Sequence, residues 1–127
     1  MIAADTSSLV AYLSGEDGDD VRLIEQAMAS EDLRLPPPVI SELLSGAAST
    51  EQVQYLLANV PVLPIELGFW ERAGLGRRIV LAKGRKARLA DALIAQCCID
   101  AGIPLIVRDR DFRHFVEWCG LVLAASS

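Results

Sequence analysis

Four acidic residues at distant points of the chain, Asp5, Glu42, Asp91 and Asp109, are the side chains best suited to chemistry. Each stands where an apolar strand-like run ends or where a helix begins. In an open parallel α/β sheet those places converge on one crevice, outside the carboxyl ends of the strands. Carboxylates crowded into a crevice repel one another unless a hard divalent cation such as Mg²⁺ neutralises them. The chemistry of such a set is metal-dependent phosphoryl transfer or hydrolysis. Taken singly, each acid has a plainer explanation. Asp5 reads as a helix cap, Glu42 and Asp91 as first-turn acids that favour a helix dipole, and Asp109 and Asp111 as turn residues. The joint pattern weighs more. Asp91 lies among Leu89, Ala90, Ala92 and Leu93, and Glu42 among Val39, Ile40, Leu43 and Leu44, where an unneutralised charge is costly.

The elements that must position these acids follow from the apolar pattern. Met1 to Ala4 reads as a first buried strand, and Asp5-Thr6-Ser7-Ser8 offers capping side chains to a helix that follows. Residues 15–20 form an acidic loop, and Val21 to Ser30 has helical periodicity. Leu33 to Leu35 is a second strand, stopped by Pro36-Pro37-Pro38, with a helix from near Val39 to Gly46. A helix over Thr50 to Ala58 precedes a short edge strand at Val62 and Leu63, between two prolines. Leu67 to Lys83 is a longer helix with a basic end, closed by Gly84. Arg88 to Ala101 is a helix rich in small residues. Ile103 to Val107 is the fourth strand, Asp109 to Phe112 a corner, and Leu121 to Leu123 a fifth strand. Strands alternating with helices predict a three-layer α/β/α domain over residues 1–127, with a mostly parallel sheet of about five strands flanked by helices.

Composition narrows the classes. Of the 127 residues 52% are hydrophobic, yet no stretch is long enough to span a membrane. No basic, apolar leader opens the chain, so a cytoplasmic protein without a signal peptide is expected. Three cysteines without metal-type spacing read as reduced and packed, and a single histidine, His114, leaves no Cys/His zinc site or catalytic triad. The net charge of −5 is uneven: residues 1–71 hold 12 acids and 2 bases, whereas residues 72–127 hold 5 acids and 10 bases. Lys83, Arg85, Lys86 and Arg88 cluster before Asp91, with Arg77 and Arg78 close by. Arg108, Arg110 and Arg113 surround Asp109. A basic patch beside an acidic pocket suits a polyanion held by its phosphates; the plainer alternative is a solvated helix end and loop.

Nearly the whole chain resembles the PIN-domain family, and within it the VapC-type toxins of toxin–antitoxin pairs. The resemblance is carried by Asp5-Thr6-Ser7-Ser8-Leu9-Val10-Ala11-Tyr12-Leu13, by Pro38 and the Glu42-Leu43 that follow it, and by Lys83-Gly84-Arg85-Lys86 leading to Leu89-Ala90-Asp91-Ala92-Leu93-Ile94-Ala95. It ends in Pro104-Leu105-Ile106-Val107-Arg108-Asp109-Arg110-Asp111-Phe112. It implies a Mg²⁺- or Mn²⁺-dependent endoribonuclease whose acidic quartet is Asp5, Glu42, Asp91 and Asp109. Asp5, Asp91 and Asp109 would be metal ligands joined by Glu42. Asp111 would share that role or shape the turn. Thr6 and Ser7 would support the site by hydrogen bonds, and Lys83, Arg85, Lys86, Arg88, Arg108 and Arg110 would contact RNA. Val107 departs from the family, which often has Thr or Ser there, and removes a hydroxyl near the metal. The resemblance also implies a VapB-like antitoxin, whose segment would place a basic side chain among the acids, and a homodimer. Two rivals stand beside it. A haloacid-dehalogenase-type phosphatase would need an aspartate at the position of Ser7. A PIN-like binding protein would act through its partner without cleaving anything.

Overall fold

The computed structural model describes residues 1–125; Ser126 and Ser127, the end of the expected domain, lie outside the described residues. In chain order the elements are β1 (Ile2–Ala4), α1 (Thr6–Leu13), α2 (Asp19–Ala29), β2 (Leu33–Arg34), α3 (Pro37–Ser45), α4 (Thr50–Asn59), α5 (Phe69–Ala82), α6 (Leu89–Ala101), β3 (Leu105–Ile106), a 3₁₀ turn (Arg110–Phe112) and α7 (Arg113–Cys119). The three strands form a parallel sheet in the order β2-β1-β3, with Ile2 opposite Leu33 and Ala3 opposite Leu105. The chain leaves β1 toward β2 on one side and returns to β3 on the other. The carboxyl end of β1 is therefore the switch point where α/β sheets open a crevice.

The sheet is narrower than the five strands expected. Val62 and Leu123 each contribute one isolated parallel bridge, to Leu35 and Leu105 respectively, at its two edges. At the first edge Leu35 N donates to Pro61 O at 2.9 Å and Leu63 N donates to Leu35 O at 2.9 Å. Pro61 and Pro64 have no N–H to carry the ladder further. The strand expected over Ile103 to Val107 is only Leu105–Ile106. Helix α3 begins at Pro37 rather than near Val39, because prolines with their preset φ form its first turn. Glu42 consequently sits in the second turn, not the first. Helix α5 begins at Phe69 rather than Leu67 and ends at Ala82, so its last turn carries no basic residue and Lys83 is the cap. Helix α7 was not anticipated.

The core is continuous across both sides of the sheet. Ala3, Ala4, Leu33, Leu35, Leu105 and Ile106 are buried in the strands, beneath Leu9, Ile24, Val39, Leu56, Phe69, Val80 and Ile94 from the helices. Small residues let α6 lie close to its neighbours: Ala92, Ala95, Cys97 and Cys98 are all buried, and α6 packs against α5 and α3. Among the described residues no helix is long and apolar enough to cross a membrane.

Candidate active site

Four separate elements deliver the four acids to one pocket of ≈ 210 Å³. Asp5 follows β1 and caps α1, Glu42 comes from α3, Asp91 from the first turn of α6, and Asp109 from the turn after β3. Thr6, Ser7, Arg88, Ile94 and Phe112 complete the lining.

Asp5 is the most deeply set, 2% exposed. Its own N–H donates to Ile106 O at 2.9 Å, which ties it to β3. Ser8 N donates to its Oδ1 at 2.9 Å and Ser7 Oγ to its Oδ2 at 3.0 Å. Burial pushes its carboxyl above the usual range, against the opposing hydrogen bonds from Ser8, Ser7 and the Arg108 backbone. Thr6 turns the other way and donates through Oγ1 to Glu42 Oε1 at 2.6 Å, joining α1 to α3. The two hydroxyls expected to support the site thus hold different acids. Ser8 Oγ is buried without a well-formed hydrogen bond and lies beside both Asp5 and Asp20, lowering each carboxyl.

Asp91 is the strained member. Its side chain is 13% exposed, and its pKa is pushed up to about 6. Burial is the main cause, and the Asp109, Glu42 and Asp111 charges add to it, whereas Arg88 opposes it. Asp109 accepts from Asp111 N at 2.9 Å, so it caps the 3₁₀ turn as well as lining the pocket. Asp111 does not line the pocket; it shapes that turn and adds to the field on Asp91.

The basic residues divide sharply. Arg88 lines the pocket, with Nη2 3.3 Å from Asp109 Oδ2 and Nε 3.8 Å from Asp91 Oδ2. Arg108 is committed elsewhere. It donates to both Asp20 oxygens, at 2.8 and 3.0 Å, and to Asp17 O at 3.0 Å, with Glu16 at 3.6 Å. Its side chain is thereby a clamp on the α1–α2 loop rather than a free surface cation. Gly18 beside it has φ +151°, a backbone conformation that other residues rarely adopt, and a Cβ there would crowd Asp20 Oδ1 at 2.5 Å and Arg108 Nη2 at 2.8 Å. Arg77 donates to Ala87 O at 2.8 Å, and Lys83 Nζ stands 6.0 Å from the Trp118 ring centre. Arg85, Lys86 and Arg110 are exposed. Nothing in the local sequence marked the Arg108–Asp20 or Thr6–Glu42 pairings, which join residues far apart in the chain.

Every donor in the pocket's ligating set is oxygen, which suits a hard cation such as Mg²⁺ or Mn²⁺. Among the described residues, no three His, Cys, Asp or Glu side chains are drawn together tightly enough to enclose an ion as they stand. The residues fit such a cation in chemistry and convergence, and need a side-chain adjustment to close on it.

The fold and the pocket together define an open parallel α/β domain with a carboxylate crevice at its switch point. The chain belongs to the PIN-domain family, whose model matches residues 2–117. Comparison with curated proteins finds none that matches. Among solved structures the chain is similar to one in VapBC2 from Rickettsia felis bound to a DNA fragment from their promoter, with 20% identity over 98% of both chains and a TM-score of 0.76. It is also similar to one in FitAcB from Neisseria gonorrhoeae, with 16% identity over 98% of this chain and 97% of that one and a TM-score of 0.69. At these identities the likeness is one of fold.

Proposed function

We propose that this chain is a Mg²⁺- or Mn²⁺-dependent endoribonuclease, the toxin of a type II toxin–antitoxin pair. The observation that carries the proposal is the convergence of Asp5, Glu42, Asp91 and Asp109, from four elements, on one pocket in which Asp91 resists ionisation. A site of this kind costs folding stability, and a bound cation is the usual compensation. Asp5, Asp91 and Asp109 would hold the cation, with Glu42 joining them from α3. When bound, the cation would supply a water of lowered pKa for attack on an RNA phosphodiester and positive charge beside the leaving oxygen. Ser7 and Ser8 fix the Asp5 carboxylate, and Thr6 fixes Glu42, so that the set needs little reorganisation during reaction. His114 is buried and stacked on Trp118, which supports a packing role rather than acid–base chemistry.

Exposed Arg85, Lys86 and Arg110 are the proposed backbone contacts for RNA, and Arg88 joins them from the rim. Lys83 sits on Trp118 at the margin of this patch. A VapB-like antitoxin is the proposed partner, supported by the fold's likeness to chains in VapBC2 and FitAcB. An apolar groove lined by Pro37, Pro38, Ile65, Phe69, Trp70 and Leu93 reaches Glu42, so an apolar segment ending in a basic residue would suit groove and pocket together. Leu75, Ile79 and Leu81, exposed on α5, supply apolar surface for a homodimer. The cytoplasm is the proposed setting.

The test is cleavage of a total RNA pool by purified protein with Mg²⁺ or Mn²⁺, with EDTA and Asp91→Asn as controls. Discrete fragments that vanish in both controls are expected. Intact RNA in the presence of folded, antitoxin-free protein and metal would shift the assignment to a binding protein.

A further inference from the structure

Arg88 is the one basic side chain lining the acidic pocket among the described residues. It is the N-cap residue of α6, and its side chain is 70% exposed. From the rim the guanidinium reaches two acids of different elements, Asp91 on α6 and Asp109 after β3, at 3.8 and 3.3 Å. Both contacts are longer than the roughly 2.7–2.9 Å of a well-formed charge-assisted hydrogen bond. Among the described residues the Arg88 side chain has no other hydrogen-bond or ion-pair partner. Arg108 makes the contrast, fastened to Asp20 by two bonds at 2.8 and 3.0 Å and to a loop carbonyl. Arg88 is thus held by one long hydrogen bond to Asp109 and one ion pair to Asp91, at the solvent-exposed rim of the pocket.

We propose that Arg88 is a built-in counter-ion of the acidic pocket: it bridges Asp91 and Asp109, yields them to a divalent cation, and then contacts a substrate phosphate at the rim. The inference rests on the metal-site reading given above. A guanidinium and a divalent cation cannot both occupy the space between the same two carboxylates, because their positive charges repel at such distances. Displacement costs little, since exposed ion pairs of this kind are weak and no other bond must break. The displaced side chain remains beside the amino end of α6, where the planar guanidinium and the helix terminus both favour a phosphate. Arg88 therefore weakens cation binding and strengthens RNA binding, an opposition that a purely structural residue would not produce.

The test uses metal-stripped full-length protein, as wild type, Arg88→Gln and Arg88→Lys, with circular dichroism confirming the fold of each. Mn²⁺ affinity is measured by calorimetry and KM by RNA cleavage. Arg88→Gln should bind Mn²⁺ about fivefold to tenfold more tightly, the worth of two exposed ion pairs, while its KM for RNA rises about tenfold. Arg88→Lys, a single compact charge, should fall between the two in both readouts. Equal or weaker Mn²⁺ binding by Arg88→Gln overturns the counter-ion role while leaving the metal site standing. An unchanged KM overturns the phosphate contact. Failure of wild type and Arg88→Gln alike to bind Mn²⁺ overturns the metal site and this inference together.

Discussion

Replacing Asp91 by Asn should make the cation-free protein more stable while abolishing its activity. The folded pKa of Asp91 is about 6, against 3.8 for an ordinary aspartate, so folding favours the protonated form. The sign follows from linkage. The favourable contribution of protonated Asp91 is complete below pH 3.8 and is lost as pH rises through about 6. The rise from 3.8 to about 6 amounts to about 3 kcal/mol of lost stability at pH 8. That is an upper value, because the side chain keeps some contact with water and an amide at position 91 still needs hydrogen-bond partners. A gain of about 1–3 kcal/mol for Asp91→Asn at pH 8 is the working expectation. Urea unfolding in EDTA measures it, at pH 8 and again at pH 4. The gain should be large at pH 8 and shrink toward zero at pH 4, where wild-type Asp91 is already protonated. The difference between the two proteins cancels the titration of distant acids. A mutant no more stable than wild type at pH 8, or a gain equal at both pH values, would refute the account of Asp91 as a buried, repelled carboxylate. Saturating Mn²⁺ should then reverse the order, because only a protein that binds the cation is stabilised by it.

Three further outcomes follow from other contacts. Thr6→Val removes the 2.6 Å bond to Glu42 without changing the side chain's shape, and kcat should fall about 10–100-fold in RNA cleavage, with little change in melting temperature. Asp20 has its pKa lowered chiefly by the hydrogen bonds from Arg108, so it stabilises the fold above pH 3.8 and loses that effect as pH falls below it. Asp20→Asn should accordingly lower the melting temperature at pH 7, and the deficit should shrink as pH falls below 3.8; a deficit constant with pH would contradict the clamp. Burial pushes the Cys97 and Cys98 thiols up to about 12, so at pH 8 neither should react with a thiol reagent until denaturant is added. Labelling of either in the native protein at the rate of an unfolded thiol would place them wrongly in the core.

What the sequence made legible was what is local. The cap at Asp5 and the small-residue face of α6 each carry their meaning within a few residues, and α1 and α6 formed close to where they were expected. The convergence of the acids was legible through one general property of parallel sheets, that strand ends meet at a switch point. Long-range pairing was not legible. Arg108 read as a cation for RNA because Asp109 was its neighbour in sequence, whereas its partners are Asp20 and the Asp17 carbonyl, far away in the chain. Thr6 read as a support of the site with no particular partner, and the partner it reaches is Glu42. Helix α7 is a seven-residue segment with no side-chain cap at its start, so no local signal announced it. The outer strands were overestimated because apolar runs at Val62 and Leu123 look like strands whether or not a ladder can continue beside them.

The chemistry at the cleaved ends of RNA tests the central claim most directly. If the proposed function holds, water activated at the carboxylate pocket would attack the phosphorus and expel the ribose 3′-oxygen, and each cut should leave a 5′-phosphate and a 3′-hydroxyl. Fragments produced with Mg²⁺ or Mn²⁺ would be mapped by ligation that depends on a 5′-phosphate and by phosphatase-sensitive labelling. Ligatable 5′-phosphate ends, absent with EDTA, are the predicted result. Fragments ending in 2′,3′-cyclic phosphate would mean that the ribose 2′-hydroxyl attacked, and would contradict metal-activated water at Asp5, Glu42, Asp91 and Asp109.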